Sequence, residues 1–278
     1  MDLGRIAIIG GGRMGQKLCA GLLSYCGIDP ADICVANPGE AKRLAIEEAY
    51  GVQTVACAAE ALPAQTIILA VRPADVATVC EELAEAGLPA DALVISVAAG
   101  VSTESIAQAL GARNPQALGA RNPIVRVMPN APLAYGAGVA GISAATGCPQ
   151  EKLDAACEMF ELMGGGVVVP EDQQDIVTAV SGSGPAYFEL VIAAIASGAE
   201  KLGMNHDAAL KLALQTMYGT AVMLKETGQD PLDALDVICT KGGTTEAAIA
   251  SMRAAGLEEA LEGGIASATH RSRELGKR

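Results

Sequence analysis

A short β-branched run at residues 5–9 (RIAII) leads straight into Gly10-Gly11-Gly12-Arg13-Met14-Gly15. Apolar positions follow at Leu18, Cys19, Gly21, Leu22 and Leu23. Strand, glycine turn and helix in that order begin a β-α series, and the rest of the first half continues it. Strands are predicted at residues 33–36, 52–55, 66–71, 93–97, 124–128, 138–142 and 167–169. Helices are predicted at 42–50, 74–86, 102–110 and 150–163. The strands are fully apolar rather than alternating, so both faces of their sheet are covered, as in a mostly parallel, doubly wound sheet.

After Pro170 no strand-like run remains. Helices are predicted at residues 186–202, 207–227, 231–239, 245–255 and 257–275, with Pro185 at the first-turn position a helix tolerates. The first of these is apolar almost all round. A helix without a polar face requires burial on every side, which a short helical segment achieves by pairing with a second copy. The predicted architecture is therefore α/β: a Rossmann-type dinucleotide-binding domain in residues 1–170, then an all-helical substrate-binding and dimerisation domain in 171–278.

Composition excludes several function classes. The net charge is −13, from 19 Lys+Arg against 32 Asp+Glu, which is the wrong sign for a nucleic-acid surface. The eight cysteines form no C-x-x-C pair and read as reduced, buried thiols of a cytoplasmic protein. His206 and His270 lie far apart in polar contexts, so no metal site is expected. No apolar run approaches a membrane span, and the strand-like start leads us to expect no signal peptide. The segment ALGARNP occurs twice, at residues 109–115 and 117–123, and reads as a duplicated loop without chemistry.

Gly10, Gly12 and Gly15 form the spacing that cradles a pyrophosphate: one glycine for the turn, one for close backbone approach, and one for helix packing. Arg13 and Met14 lie between them. The second predicted strand ends at Asn37. An acidic residue there would bind a ribose 2′-hydroxyl and repel a 2′-phosphate. A neutral one, with Lys42 and Arg43 close behind, favours NADP, with NAD as the alternative. Three further strand ends point to the same edge: Ala70-Val71-Arg72-Pro73, Val97-Ala98-Ala99-Gly100 and Met128-Pro129-Asn130.

Two glycine-rich segments in the second half exceed what packing requires. They are Ser181-Gly182-Ser183-Gly184-Pro185 and Thr240-Lys241-Gly242-Gly243-Thr244-Thr245. Each places hydroxyls and glycine amides before a predicted helix, an arrangement suited to a carboxylate. No nucleophile set is apparent. The first lysine after Ser181 is Lys201, too far along its helix to serve as a base for alcohol oxidation. Reduction of a C=N bond fits better, because an imine arrives protonated and needs chiefly alignment with a hydride donor.

These segments carry a resemblance. SGSGPAY (181–187), with Glu171, Asp172 and Asp175 before it, and DVICTKGGTTEAAI (236–249) resemble pyrroline-5-carboxylate reductases. So do THRSRELG (269–276), AVRP (70–73), VAAG (97–100) and MPNAP (128–132). The resemblance spans essentially the whole chain. It implies NAD(P)H-dependent reduction of 1-pyrroline-5-carboxylate to L-proline, by an enzyme built as an interlocked homodimer that often assembles into larger rings. Carried over by motif, Glu171, Ser181, Gly182, Ser183, Gly184, Thr240, Gly243, Thr244 and Thr245 are substrate-binding, and Thr245 is catalytic. The chain departs from the family at Thr240-Lys241, where Ser-Pro is common. It also departs at Pro38, where a basic residue is common, and at Ala58-Ala59, where Asn is common. A related imine or ketone reductase acting on another small carboxylate is the alternative reading.

Overall fold

The computed structural model describes residues 3–111 and 122–276. Residues 112–121, which hold most of the ALGARNP repeat, lie outside the described residues. Contacts divide the chain into two compact units. One runs to Ser183 and resumes at Ala268; the other is Gly184–Ser267. The first unit thus extends past residue 170 and takes back the end of the last helix.

The first unit is an eight-stranded sheet. Its strands are β1 (Ile6–Ile9), β2 (Ile33–Ala36), β3 (Gln53–Val55), β4 (Thr66–Leu69), β5 (Leu93–Ser96), β6 (Ile124–Pro129), β7 (Ala140–Ala144) and β8 (Gly166–Val168). They lie in the order β3-β2-β1-β4-β5-β6-β7-β8. Pairing is parallel from β3 through β6; β7 then runs antiparallel to β6, and β8 parallel to β7. The strand order reverses between β1 and β4, which opens a crevice at their carboxyl ends.

Every residue of β1, β2, β4 and β5 is buried. Alternate side chains feed two apolar layers. Ile6 and Ile8 join Leu18, Leu22, Met159 and Phe160 beneath α1 (Arg13–Tyr25) and the helix Gln150–Leu162. Ala7 and Ile9 join Cys80, Leu83, Ile106 and Leu110 on the opposite face. Each large aliphatic side chain buried this way contributes roughly 1.5–3 kcal/mol, so the strands and their covering helices form together.

The remaining helices are α2 (Glu40–Tyr50), α3 (Val76–Glu85), α4 (Thr103–Gly111), α5 (Gln150–Leu162), α6 (Gln174–Val177), α7 (Gly184–Lys201), α8 (His206–Thr227), α9 (Pro231–Ile238), α10 (Thr244–Ala254) and α11 (Leu257–Gly276). In the second unit α7 packs along α8. The expectation of an all-round buried helix is not met within one chain: Phe188 and Leu190 on α7 are 59% and 71% exposed. Glu189, a charge that looks misplaced in an apolar sequence, is exposed as well.

The sequence predicts no stretch of membrane-span length. The structure joins residues Glu171–Lys201 into one helical run, and that run meets the length and composition of a span. The difference arises because the Gly-Ser-Gly-Pro segment, which reads as a break, is helical.

Candidate functional site

The crevice between β1 and β4 is built by backbone. Gly10 has φ +112°, and a Cβ there would lie 2.6 Å from the Ala70 carbonyl oxygen. A Cβ on Gly15 would collide with the Gly10 carbonyl oxygen. Both positions must be glycine for the strand–turn–helix to close. Gly12 differs, since a Cβ there would meet nothing within 4 Å. Gly12 is the N-cap of α1. No side chain caps that helix and its first turn carries no acidic residue, so its amides and positive dipole end face the room that Gly12 leaves. This open cradle fits the pyrophosphate of a dinucleotide.

The other residues expected at the cofactor are distributed unevenly. Arg13 is exposed beside the cradle, whereas Met14 packs partly into the apolar layer. Asn37 closes β2, and its side chain lies against Gly11: a Cβ on Gly11 would be 3.3 Å from Asn37 Cβ. The Arg43 guanidinium donates to the Asn37 and Pro38 carbonyls at 3.0 and 2.9 Å, while Lys42 is exposed. Ala70 and Val71 are half-buried at the end of β4. Arg72 pairs with Asp75 at 2.8 Å, and Pro73 opens a short 3-10 turn. Ala98, Ala99 and Gly100 follow β5 as small, mostly covered residues. Asn130 Oδ1 accepts the Val139 amide at 2.9 Å, so its oxygen serves to pin the loop after β6.

Glu171 is also committed within the first unit. Its carboxylate accepts the Thr103 amide and the Thr103 hydroxyl, each at 2.7 Å, and the Arg126 guanidinium lies 3.4 Å away. It therefore caps the N-terminus of α4 and neutralises an arginine that is only 8% exposed. Neither Thr103 nor Arg126 belongs to a motif that marks it as part of a site. The signal available was the lone charge in the otherwise apolar strand IVRVM.

Ser181–Gly184 does not form a free helix N-terminus. Thr178–Gly182 is a π-helical turn continuing from α6. Ser183 donates its amide to the Thr178 carbonyl at 2.8 Å, and the Ser181 hydroxyl donates to the Val177 carbonyl at 3.0 Å. These donors are used internally. A Cβ on Gly182 would meet Met128 Cε, the end of a flexible side chain, at 2.7 Å. Wide turns of this kind are frequent at functional sites.

The second unit holds the other segment. Gly242 has φ +75°, and the Gly243 amide donates to the Thr240 carbonyl at 2.9 Å, closing a tight turn. A Cβ on Gly243 would press on the Thr240 hydroxyl at 2.8 Å. Gly243 is the N-cap of α10, without a side-chain cap. Glu246 reaches back to the Gly242 amide at 2.7 Å. The Thr244 and Thr245 hydroxyls have no hydrogen-bond partner among the described residues, and the amides of the first turn of α10 remain unbonded by any cap. The segment thus offers backbone donors and two hydroxyls on a turn that its glycines fix. Among the described residues no group of three His, Cys, Asp or Glu could hold a metal ion.

Comparison with known proteins agrees with both units. A family model described as pyrroline-5-carboxylate reductase dimerisation matches residues 171–275, and one described as NADP oxidoreductase, coenzyme F420-dependent, matches residues 5–100. A pyrroline-5-carboxylate reductase of Synechocystis is 37% identical over 275 residues, covering 99% of both chains. The chain belongs to the pyrroline-5-carboxylate reductase family. A Pseudomonas aeruginosa member is 35% identical, covering 99% of this chain and 98% of its own. A pyrroline-5-carboxylate reductase structure from Coxiella burnetii superposes with a TM-score of 0.87 at 35% identity, covering 99% of each chain. The fold is shared with a Plasmodium falciparum pyrroline carboxylate reductase solved with NADP bound, at a TM-score of 0.86 and 23% identity over 99% of each chain.

As a pyrroline-5-carboxylate reductase, the chain is a nicotinamide-dependent oxidoreductase of proline biosynthesis acting on a C–N bond. It oligomerises and takes a small-molecule substrate.

Proposed function

We propose that this chain reduces 1-pyrroline-5-carboxylate to L-proline with NADPH as the preferred donor, as a cytoplasmic homodimer able to assemble into a ring of dimers. The observation that carries the reading is the pairing of an uncapped glycine cradle at the β1/β4 crevice with an uncapped, hydroxyl-bearing turn at α10. The first suits a dinucleotide and the second a small carboxylate. The division of labour follows the family boundary near residue 171: dinucleotide binding before it, substrate binding and dimerisation after it.

Gly10, Gly12 and Gly15 would hold the pyrophosphate on the first turn of α1. Ala70, Val71, Arg72, Pro73, Ala98, Ala99, Gly100 and Asn130 would border the rest of the cofactor, with Arg13 at the phosphates. A nicotinamide bound there supplies the hydride. The substrate carboxylate would sit on the first-turn amides of α10, ordered by Gly243 and Thr240. Thr244 and Thr245 would direct their hydroxyls to it, and Thr245 would hold the ring nitrogen. As the iminium becomes an amine its nitrogen regains a lone pair, and a hydroxyl already in place can donate to it. This contact therefore strengthens along the reaction coordinate and lowers the barrier. The Ser181–Gly184 turn would contribute shape more than donors. Asp and Glu are absent from the loop ending β2, so nothing repels a 2′-phosphate, and Arg43 stands beside it.

Parallel kinetics with NADPH and NADH test the cofactor assignment. The kcat/KM ratio should favour NADPH in the wild type, and Asn37→Asp should move it toward NADH through repulsion of the 2′-phosphate. An unchanged ratio would place Asn37 away from the ribose.

A further inference from the structure

The last turn of α11 returns to the first unit and meets the loop after β5. Gly100 and Gly276 approach backbone to backbone. A Cβ on Gly276 would lie 2.6 Å from the Gly100 carbonyl oxygen, and a Cβ on Gly100 would lie 2.8 Å from Gly276 Cα. Gly100 has φ +75°, so its own conformation already requires glycine. Gly276, the last residue of α11, has no such φ requirement; what excludes a side chain there is the close approach to Gly100.

The turn is tethered one helical step earlier. The Ser272 hydroxyl, 4% exposed, donates to Asp175 Oδ1 at 2.6 Å. Next to Asp175, the fully buried Gln174 donates its amide to the Gly141 carbonyl at 3.2 Å and to Ser143 Oγ at 2.8 Å. A continuous chain of contacts therefore runs from β7 through α6 and α11 to the loop at Gly100. A polar cavity of about 250 Å³, lined by Arg126, Asp175, Arg273 and the two glycines, flanks the junction.

We propose that the last turn of α11 positions the loop carrying Ala98, Ala99 and Gly100 where it borders the cofactor beyond its adenosine half, with Gly276 and Ser272 as positioning residues. The proposal rests on the reading that this loop borders the cofactor. The adenosine ribose is assigned to a different element, at Asn37 after β2, so the two ends of the cofactor should respond differently when α11 is disturbed.

The test is titration calorimetry on the purified, assembled enzyme with NADPH and, separately, with 2′,5′-ADP, which carries only the adenosine half. Gly276→Ala forces the loop or the turn to shift. A displacement of about 1 Å costs on the order of a hundredfold in a well-aligned reaction, so a shift of a few tenths of an ångström is expected to cost about tenfold. In steady-state assays kcat should fall by about that factor; in the calorimeter NADPH affinity should fall measurably, while 2′,5′-ADP binding stays within about twofold. Ser272→Ala, which adds no bulk, should give a weaker version of the same pattern, and Ser272→Thr, which keeps the hydroxyl, should restore it. Equal weakening of both ligands, or no weakening of NADPH, would overturn the proposal. Ala99→Leu separates the two levels. If it weakens NADPH while Gly276→Ala and Ser272→Ala do not, the loop borders the cofactor and the positioning role is refuted. If Ala99→Leu is silent, the loop reading fails and the proposal fails with it.

Discussion

Thr245 occupies the second position of α10, after an N-cap that is Gly243, so its hydroxyl is spare with respect to the helix. An N-capping threonine would lose about 1 kcal/mol of stability on truncation, and Thr245 is not placed to do so. Thr245→Ala should leave the melting temperature nearly unchanged and lower kcat/KM by roughly ten- to a hundredfold, the effect of one hydrogen bond of about 1–3 kcal/mol. The loss should appear in kcat as well as KM, because the bond to nitrogen strengthens in the transition state. Steady-state kinetics and a thermal melt on one preparation decide it; wild-type kcat/KM would remove Thr245 from the chemistry. At the same scale, burial pushes the thiols of Cys19 and Cys80 up to about 12, and burial together with Glu158 pushes Cys26 up to about 11. Their folded values lie above the unfolded ones, so their contribution to stability is complete below pH about 9 and is lost as pH rises toward the folded values. The melting temperature should therefore fall between neutral pH and pH about 10, where these thiols remain protonated only in the folded state. A flat profile would contradict their burial.

At the scale of elements, the hydrophobic runs were legible because strands buried on both faces have a distinctive composition. The β1–turn–α1 unit was legible because only glycine fits at Gly10 and Gly15. What escaped the sequence was where polar groups find partners across the fold. Ser181–Gly184 reads as a loop from its composition, yet the structure continues α6 into a π turn there, held by the Ser183 amide on the Thr178 carbonyl and the Ser181 hydroxyl on the Val177 carbonyl. Glu171 reads as a substrate ligand by motif, yet Thr103, distant in sequence, takes both of its oxygens. The return of α11 to Gly100 could not be read, since nothing local distinguishes Gly276 from a helix end. For Glu171 the two roles predict different outcomes. As the cap of α4 and the counter-charge of Arg126, its replacement by Ala should cost about 2 kcal/mol, a drop of several degrees in melting temperature, with KM for the imine unchanged. A raised KM with an unchanged melt would make it a substrate contact instead.

The whole molecule is asymmetric in how it buries apolar surface. The first unit closes two layers over its sheet, while the helical unit leaves Phe188, Leu190, Leu202 and Tyr218 largely exposed. Between α7 and α8 lies an apolar groove of about 550 Å³ lined by Ile195, Met204, Leu212 and Met217. So many exposed large apolar side chains beside an apolar groove are uncommon on a monomer, so a dimer should be the smallest folded species. Sedimentation at micromolar concentration should show no folded monomer, and a stable monomer with native melting behaviour would contradict it. On the proposed function, a dinucleotide cradle in one unit and a carboxylate-holding turn in the other serve one reduction. Its most direct test supplies the purified enzyme with NADPH and, in turn, 1-pyrroline-5-carboxylate, a cyclic imine lacking the carboxylate, and a 2-keto acid, following both cofactor oxidation and L-proline formation. One L-proline per NADPH consumed is expected with 1-pyrroline-5-carboxylate, and far lower kcat/KM with the other two. Equal turnover of the 2-keto acid, or NADPH consumed without L-proline, would contradict it.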